Sequence, residues 1–370
     1  MTMIKAGVYV HIPFCRKKCA YCDFLSHVPT PLEIERYIEA LELEIERFRV
    51  EGLTLFVGGG TPSVVPPSLM AVLIDRLQKA YGPFQEATIE VNPGTVDLEY
   101  LQMLKEKGID RLSIGVQSFD DETLQKMGRI HTAAEAVKTV DYAVSAGFEN
   151  VSIDVIYAYP GTTMQSLEKT LQIASGLPVT HISYYGLQLE EGTELFRVQP
   201  EMLSDSEYVE MYFRGIETLE NAGFVQYEIS NFAKPSYQCK HNLIYWKNQE
   251  YLGLGVGAVG RLGRVRYRNT EVVEEYIRSM HSGAIVQSVE EELTDELMLQ
   301  ENIMLGLRLR EGVGPEDLGG SSLRELFPEA VGQLEEAGFL EEIVFRGTKR
   351  FRLTRKALPV MNSVVGYFFD

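Results

Sequence analysis

Two hydrophobic periods alternate along the first half of the chain. Short apolar runs occur at residues 8–10, 53–57, 88–91, 111–116, 151–156 and 181–187. Between them lie longer stretches in which apolar residues recur every three or four positions. Residues 32–48 illustrate this, with Ile34, Ile38, Leu41, Ile45 and Phe48 separated by glutamates and arginines. The first kind of run predicts strands and the second predicts amphipathic helices. Helices are expected at 32–48, 68–81, 98–107, 133–146 and 166–175, two of them stopped by Gly108 and Gly147. Strand–helix alternation with connections of a few residues predicts an α/β fold built on a parallel sheet or barrel. Six strands are too few for a closed eight-stranded barrel, so a partial (β/α)6 barrel is expected. Polar and glycine residues follow the strands directly, as in Gly58-Gly59-Gly60, Asn92-Pro93-Gly94 and Gln117-Ser118. Those C-terminal strand ends are where barrel enzymes place their chemistry.

After Gly192 the pattern changes. Residues 204–222 read as a helix, 224–229 as a strand, and 231–260, rich in Asn, Gly and Tyr, as irregular. From about residue 289 a smaller α+β segment is expected. It has helices at 296–307 and 323–337, then a basic hairpin with strands 343–345 and 350–353, in a winged-helix-like order. This divides the chain into a core at 1–230, a connecting region at 231–288 and a C-terminal domain at 289–370.

The net charge of −18 argues against nucleic-acid binding, whose affinity comes mainly from neutralised phosphates. It also argues against adhesion to anionic lipid. The four cysteines, Cys15, Cys19, Cys22 and Cys239, make no disulfide framework for a chain of 370 residues. The first seven residues lack an apolar leader core, and no run is long enough to span a membrane. A cytoplasmic protein is expected.

Cys15-x3-Cys19-x2-Cys22 is the most informative motif. Three thiolates on one tight loop can hold three irons of a [4Fe–4S] cube and leave the fourth without a protein ligand. That iron can take the amino and carboxylate groups of S-adenosylmethionine, whose sulfonium is then open to one-electron cleavage. Zinc is the competing reading, with His11 as a fourth ligand, but zinc sites draw paired ligands from two chain segments. Lys17 and Lys18 beside the thiols favour thiolates.

The stretch Tyr9-Val10-His11-Ile12-Pro13-Phe14-Cys15-Arg16-Lys17-Lys18-Cys19-Ala20-Tyr21-Cys22-Asp23-Phe24 resembles the radical SAM superfamily. More narrowly, it resembles the branch holding oxygen-independent coproporphyrinogen III oxidase (HemN) and the heme chaperones (HemW). The resemblance runs on through Gly58-Gly59-Gly60-Thr61-Pro62, Glu90-Val91-Asn92-Pro93, Ser113-Ile114-Gly115-Val116-Gln117-Ser118-Phe119, Gly128-Arg129 and Asp154-Val155-Ile156-Tyr157. It implies a [4Fe–4S] cluster on Cys15, Cys19 and Cys22. It also implies S-adenosylmethionine contacts at Gly59, Gly60, Thr61, Glu90, Gln117, Arg129 and Asp154, with Tyr9, Tyr21 and Gln188 nearby. Carboxylates suit an ammonium and ribose hydroxyls, an arginine fork suits a carboxylate, and glycine amides can meet the amino-acid end. Ala158-Tyr159-Pro160-Gly161 departs from the Gly-Leu-Pro-Gly usual in that family.

Two features tilt the resemblance toward the chaperone side. The oxidases carry a further cysteine where this chain has Phe24, and a long extension before the cluster, whereas Cys15 comes almost at once. A third feature is His241-Asn242-Leu243-Ile244-Tyr245-Trp246, the HNxxYW motif of the chaperones. It implies heme as a cofactor with His241 as axial ligand and Cys239 as a rival. The partners implied are recipient hemoproteins, including membrane-associated respiratory ones, and a homodimer is allowed. Two functions stay open on the sequence: a heme chaperone, or a radical SAM enzyme such as the oxidase.

Overall fold

The computed structural model describes residues 3–369. The first two residues of the stretch read for a leader, and the last of the C-terminal segment, lie outside it. The six expected strands are β1 (Ile4–Ile12), β2 (Val50–Gly59), β3 (Ala87–Val91), β4 (Arg111–Gln117), β5 (Asn150–Tyr157) and β6 (His181–Gly186). They are joined by α1 (Pro31–Ile45), α2 (Pro67–Tyr81), α3 (Leu98–Glu106), the short α4 (Asp121–Lys126), α5 (Ala133–Ser145) and α6 (Met164–Gly176). Each strand pairs in parallel with the next, so β1 to β6 form one continuous parallel sheet. The helices start where their caps dictate. Thr30 with Glu33 and Thr132 with Glu135 each form a reciprocal capping box, satisfying two otherwise orphaned amides.

The strands alternate in an instructive way. Val8, Val10, Leu55, Val57, Ile89, Leu112, Ile114, Ile153 and Val155 point outward and are fully buried beneath the helices, apart from slight differences near 0% exposure. Each such side chain contributes about 1.5–3 kcal/mol by leaving water. Their neighbours in sequence point inward, and these are Tyr9, Phe56, Glu90, Arg111, Ser113, Asp154, His181 and Ser183, all lining one cavity. A parallel sheet covered on both faces ordinarily reads as unbroken apolar runs. Here the polar alternate positions show that the inner face meets a cavity, not a packed core.

Beyond β6 lie α7 (Glu194–Val198), α8 (Asp205–Asn221), β7 (Val225–Gln226), β8 (Asn231–Ala233), α9 (Lys240–Trp246), β9 (Tyr251–Leu254), β10 (Val259–Leu262), β11 (Val265–Asn269), α10 (Val273–Ser282) and β12 (Gln287–Glu292). The stretch 231–260, expected to be irregular, is therefore largely ordered. Its strands extend the parallel sheet on both sides: β8 pairs antiparallel with β6, and β9 pairs parallel with β1. These strands have only three and four residues, so no periodicity announces them. The extension is clamped to α1 by Glu44. This fully buried carboxyl accepts from Tyr276 Oη (2.6 Å), Gly255 N (2.7 Å), Asn269 Nδ2 (2.8 Å) and Gln287 Nε2 (3.3 Å). Tyr37 adds a second tie, donating to His11 O and accepting from Val256 N.

The C-terminal segment holds α11 (Asp295–Gly306), α12 (Leu323–Leu326), α13 (Pro328–Glu336), and the antiparallel pair β13 (Leu340–Phe345) and β14 (Thr348–Leu353), followed by α14 (Met361–Gly366). The single helix expected over 323–337 is split because Pro328 has no amide to continue α12 and instead opens α13. Arg346 and Gly347 both take positive φ (50° and 84°) in the two-residue hairpin turn. The hairpin's basic stripe is neutralised within the chain: Lys349 pairs with Glu342, Arg352 with Glu341, and Arg350 with Glu316 and Asp317. Among the described residues no helix is long and apolar enough to cross a membrane.

Candidate functional site

The cysteine loop leaves β1 at the C-terminal end of the sheet. Its base is closed by paired backbone bonds, Cys15 N to His27 O (2.9 Å) and His27 N to Pro13 O (2.9 Å). Its far side is held by Ala20 N to Met127 O (3.1 Å) and Leu195 N to Ala20 O (2.8 Å). Cys15 is buried, and Cys19 and Cys22 are half-buried; all three line a cavity of about 990 Å3. Burial pushes the Cys22 thiol up to about 11. The Lys18 charge opposes that rise, as expected, but burial outweighs it, and the Lys18 Nζ donates to Phe24 O (3.1 Å) and Ser26 O (3.5 Å). Without iron Cys22 is therefore a thiol. His11 is no fourth metal ligand: Tyr9 Oη lies 3.0 Å from its Nδ1, and its Nε2 meets Leu25 O at 2.9 Å.

One hydrogen-bonded chain connects two of the cysteines. Cys15 Sγ lies 3.5 Å from Thr61 Oγ1, which accepts from Asn92 Nδ2 (2.7 Å). Asn92 Oδ1 accepts from Arg129 Nη2 (2.8 Å), and Arg129 Nη1 donates to Cys19 Sγ (3.5 Å). Arg129 Nη2 also binds Gly115 O, while its Nε is buried without a partner. Asn92 was not among the expected site residues; its one legible signal is its place directly after a strand.

Gly59, Gly60 and Thr61 line the cavity with the cysteines, and their amides are engaged within the chain. Gly60 N donates to Ile12 O (2.8 Å), Thr61 N to Phe14 O (2.7 Å) and Gly59 N to Glu90 Oε2 (3.1 Å). No amide of the three is left for a ligand. Gly59 has φ 114°, and a Cβ there would sit 2.6 Å from the His11 ring; one on Gly60 would sit 2.7 Å from Phe14 O. The close approach these glycines permit is to β1 and the root of the cysteine loop.

Glu90 and Asp154 face each other across the inner sheet. Burial, then the Asp154 charge, pushes Glu90 up to about 8. Burial also raises Asp154, opposed by hydrogen bonds from Ser183 and Ser113 and by the Arg111 charge. Gln117 ends β4 in the left-handed region (φ 67°) after a register shift. Ala158, where the resembling family usually has glycine, also takes positive φ (58°), a conformation that glycine adopts without strain. Tyr9 stacks on Phe56 with ring centres 6.3 Å apart, and Tyr21 meets Tyr159 edge-on at 6.3 Å. Gln188 lies exposed at the cavity mouth.

At the opposite end of the barrel α9 closes the floor. Glu86 Oε1 caps it, accepting from Lys240 N (2.8 Å) and His241 N (3.2 Å). His241 is buried and both ring nitrogens are engaged, Nδ1 with Thr54 Oγ1 (2.7 Å) and Nε2 with Tyr245 Oη (3.0 Å). Burial, then Arg111, pushes its pKa down to about 3, so the imidazole is neutral. The ring is not presented as an open axial ligand. Cys239 is no thiolate rival, since burial pushes it up to about 12 and its thiol donates to Glu86. Leu358, Pro359, Val360 and Met361 of the C-terminal segment bound the same cavity.

The model of the Radical SAM superfamily matches residues 9–174, and that of the HemN C-terminal domain matches residues 293–360. The heme chaperone HemW of Lactococcus lactis is 34% identical over 98% of this chain and 97% of its own length. The chain belongs to the HemW family of radical SAM proteins. HemW of Bacillus subtilis is likewise 34% identical, over 98% of each chain. HemW of Escherichia coli is 37% identical over 69% of this chain and 70% of its own. The solved structure of Escherichia coli coproporphyrinogen III oxidase (HemN) superposes with a TM-score of 0.84 at 21% identity, covering 99% of this chain and 90% of that one. That likeness shows the fold.

Radical SAM membership implies a [4Fe–4S] cluster and S-adenosylmethionine. The donor set suits them. Three soft thiols line one wall beside an arginine with an unpartnered Nε. Among the described residues no three His, Cys, Asp or Glu side chains gather tightly enough for a single metal ion.

Proposed function

We propose that the protein is a heme chaperone, which binds heme, carries a [4Fe–4S] cluster and S-adenosylmethionine, and passes heme to hemoproteins. The observation that carries this reading is the near-full-length likeness to HemW chaperones, on a chain whose barrel encloses about 990 Å3. Such a volume is at the upper end for small-molecule sites. It extends from the cysteine loop to the α9 floor, beyond what the cofactor residues line.

Cys15, Cys19 and Cys22 would hold the cluster, which supplies one-electron chemistry when bound. Arg129 orients Cys19 and would meet the cofactor carboxylate through its remaining N–H. Glu90, Asp154 and Gln117 would hold the ammonium and ribose hydroxyls. Glu90 must ionise to hold a cation. S-adenosylmethionine affinity of cluster-loaded protein is therefore expected to rise about twentyfold between about pH 6 and 7.5, because binding releases the Glu90 proton. Glu90→Gln is expected to bind more weakly with a flat profile; a flat wild-type profile removes Glu90 from this role.

Ligation of heme by His241 is part of the proposal. It requires Tyr245 Oη to leave Nε2, while Thr54 keeps Nδ1 and so fixes the tautomer and orients the ring. The test is a heme titration followed by optical spectroscopy on wild type and His241→Ala. A shifted Soret band with affinity weakened at least tenfold is expected in the variant. An unchanged band rejects His241 as ligand, and no binding by wild type rejects the chaperone reading. Anaerobic incubation of the cluster-loaded protein with coproporphyrinogen III, S-adenosylmethionine and a reductant is expected to give no decarboxylated product; if product forms, the protein is the oxidase.

A further inference from the structure

The inner face of β4 carries Arg111, Ser113, Gly115 and Gln117 at alternate positions, all lining the cavity. The Arg129 guanidinium and the cysteine loop sit at the level of Gly115, through the Arg129 bond to its carbonyl. Arg111 lies four residues lower, about 13 Å along the strand. Asp154, the expected cofactor residue nearest to it, accepts from Ser113, two residues above Arg111 on the strand, so Arg111 lies on the floor side of that contact. Arg111 is 2% exposed, and its Nε is buried without a partner. Among the described residues no ion pair ties it down. Glu86 and Asp154 lie near enough to favour its charge, but their hydrogen bonds go elsewhere: Glu86 caps α9, and Asp154 accepts from Ser113. Two more donors lining the same cavity, Trp246 Nε1 and Arg308 Nε, are also buried without acceptors. Buried cations are ordinarily paired, because an unpaired charge out of water is costly.

We propose that Arg111 is an anion-recognition residue that takes a carboxylate of the macrocyclic ligand at the floor of the barrel. This rests on the heme reading above. Heme is an apolar plane with two carboxylates on one edge. That edge would enter first, and the rigid guanidinium fork would receive one carboxylate bidentately. The site thereby selects diacid macrocycles over neutral ones and sets the orientation of the ring in the barrel.

The experiment titrates heme and heme dimethyl ester, which lacks both negative charges, into the full chain as wild type, Arg111→Gln and Arg111→Lys. Wild type is expected to favour heme over the ester at least tenfold. Arg111→Gln brings that preference to within about twofold, chiefly by losing heme affinity. Arg111→Lys, which keeps the charge but not the fork, is expected to lose at least threefold of the preference, and it carries the test if the Gln variant fails to fold by circular dichroism. S-adenosylmethionine affinity of cluster-loaded Arg111→Lys, which keeps the positive charge beside Glu90 and Asp154, stays within twofold of wild type. A macrocycle preference retained in both variants, or absent from wild type, overturns the proposal; so does a loss of S-adenosylmethionine affinity in Arg111→Lys, which assigns Arg111 to the cofactor. Wild type that binds neither macrocycle refutes the heme reading, and Arg111's role in it with it.

Discussion

Cys19→Ser is expected to bring the iron and acid-labile sulfide of anaerobically prepared protein to background and to abolish S-adenosylmethionine binding. A serine hydroxyl stays protonated where a thiol yields a soft anionic donor, and a three-thiolate site has no spare ligand. The structure adds a second reason. Cys19 Sγ accepts from Arg129 Nη1, and Arg129 is tethered through Asn92 and Thr61 to Cys15. Removing the sulfur takes away one iron ligand and leaves Arg129 Nη1 without this acceptor, while Nη2 stays bound to Asn92 and Gly115. The loop should otherwise keep its place, since its backbone ties to His27, Met127 and Leu195 involve no thiol. Cys239→Ser is the control: its thiol is 4% exposed and faces Glu86 at the barrel floor. Its iron content should match wild type. Wild-type iron and sulfide in Cys19→Ser would refute the cluster assignment.

Glu44→Ala is expected to lower stability by about 3–5 kcal/mol, measured by urea denaturation. Nothing about Glu44 is catalytic. It is the one carboxyl that receives donors from Tyr276, Gly255, Asn269 and Gln287, and these belong to or flank β9, α10, β11 and β12. Truncation leaves those donors facing an apolar void, each with an unsatisfied-group penalty of about 1–3 kcal/mol, partly relieved by entering water. Glu44→Gln keeps the shape and one acceptor oxygen, so about half the loss is expected. The strands β9 to β12 should lose amide protection first, because α1 is their main anchor through Glu44 and Tyr37. A Glu44→Ala variant within about 0.5 kcal/mol of wild type would show that the clamp contributes little.

The alternation of β1 to β6 with α1, α2, α3, α5 and α6 was legible because each of these elements carries its own period and its own stop signal, whereas the six-residue α4 is too short to show a period. Capping residues such as Thr30 and Thr132, and breakers such as Gly108 and Gly147, act within a few residues of where they sit. The strands at 231–233 and 251–254, which extend the parallel sheet, were not legible. A short strand gains its stability from the neighbour it joins, and β1 and β6 are far away in sequence. The barrel cavity was half legible. Polar residues alternate with apolar ones in β3 to β6, as in Thr88-Ile89-Glu90-Val91, yet that pattern suits a solvent-facing sheet equally well. Only the helices over the apolar face show that the polar face encloses a cavity.

By itself the sequence determined the cysteine spacing, the loop that carries it, the order of the strand ends and the family likeness. These are local in the chain or sums over its length. Tertiary structure alone decided what each polar group faces. It turned the Gly59 to Thr61 amides toward β1, Glu90 and the cysteine loop, away from any ligand. It engaged both nitrogens of His241. It left Arg111, an unremarked strand residue, as a buried cation with an unpartnered Nε at the cavity floor. The reason is physical: a motif specifies which donors and acceptors exist, but hydrogen-bond partners are chosen across strands by distances that only the closed sheet sets.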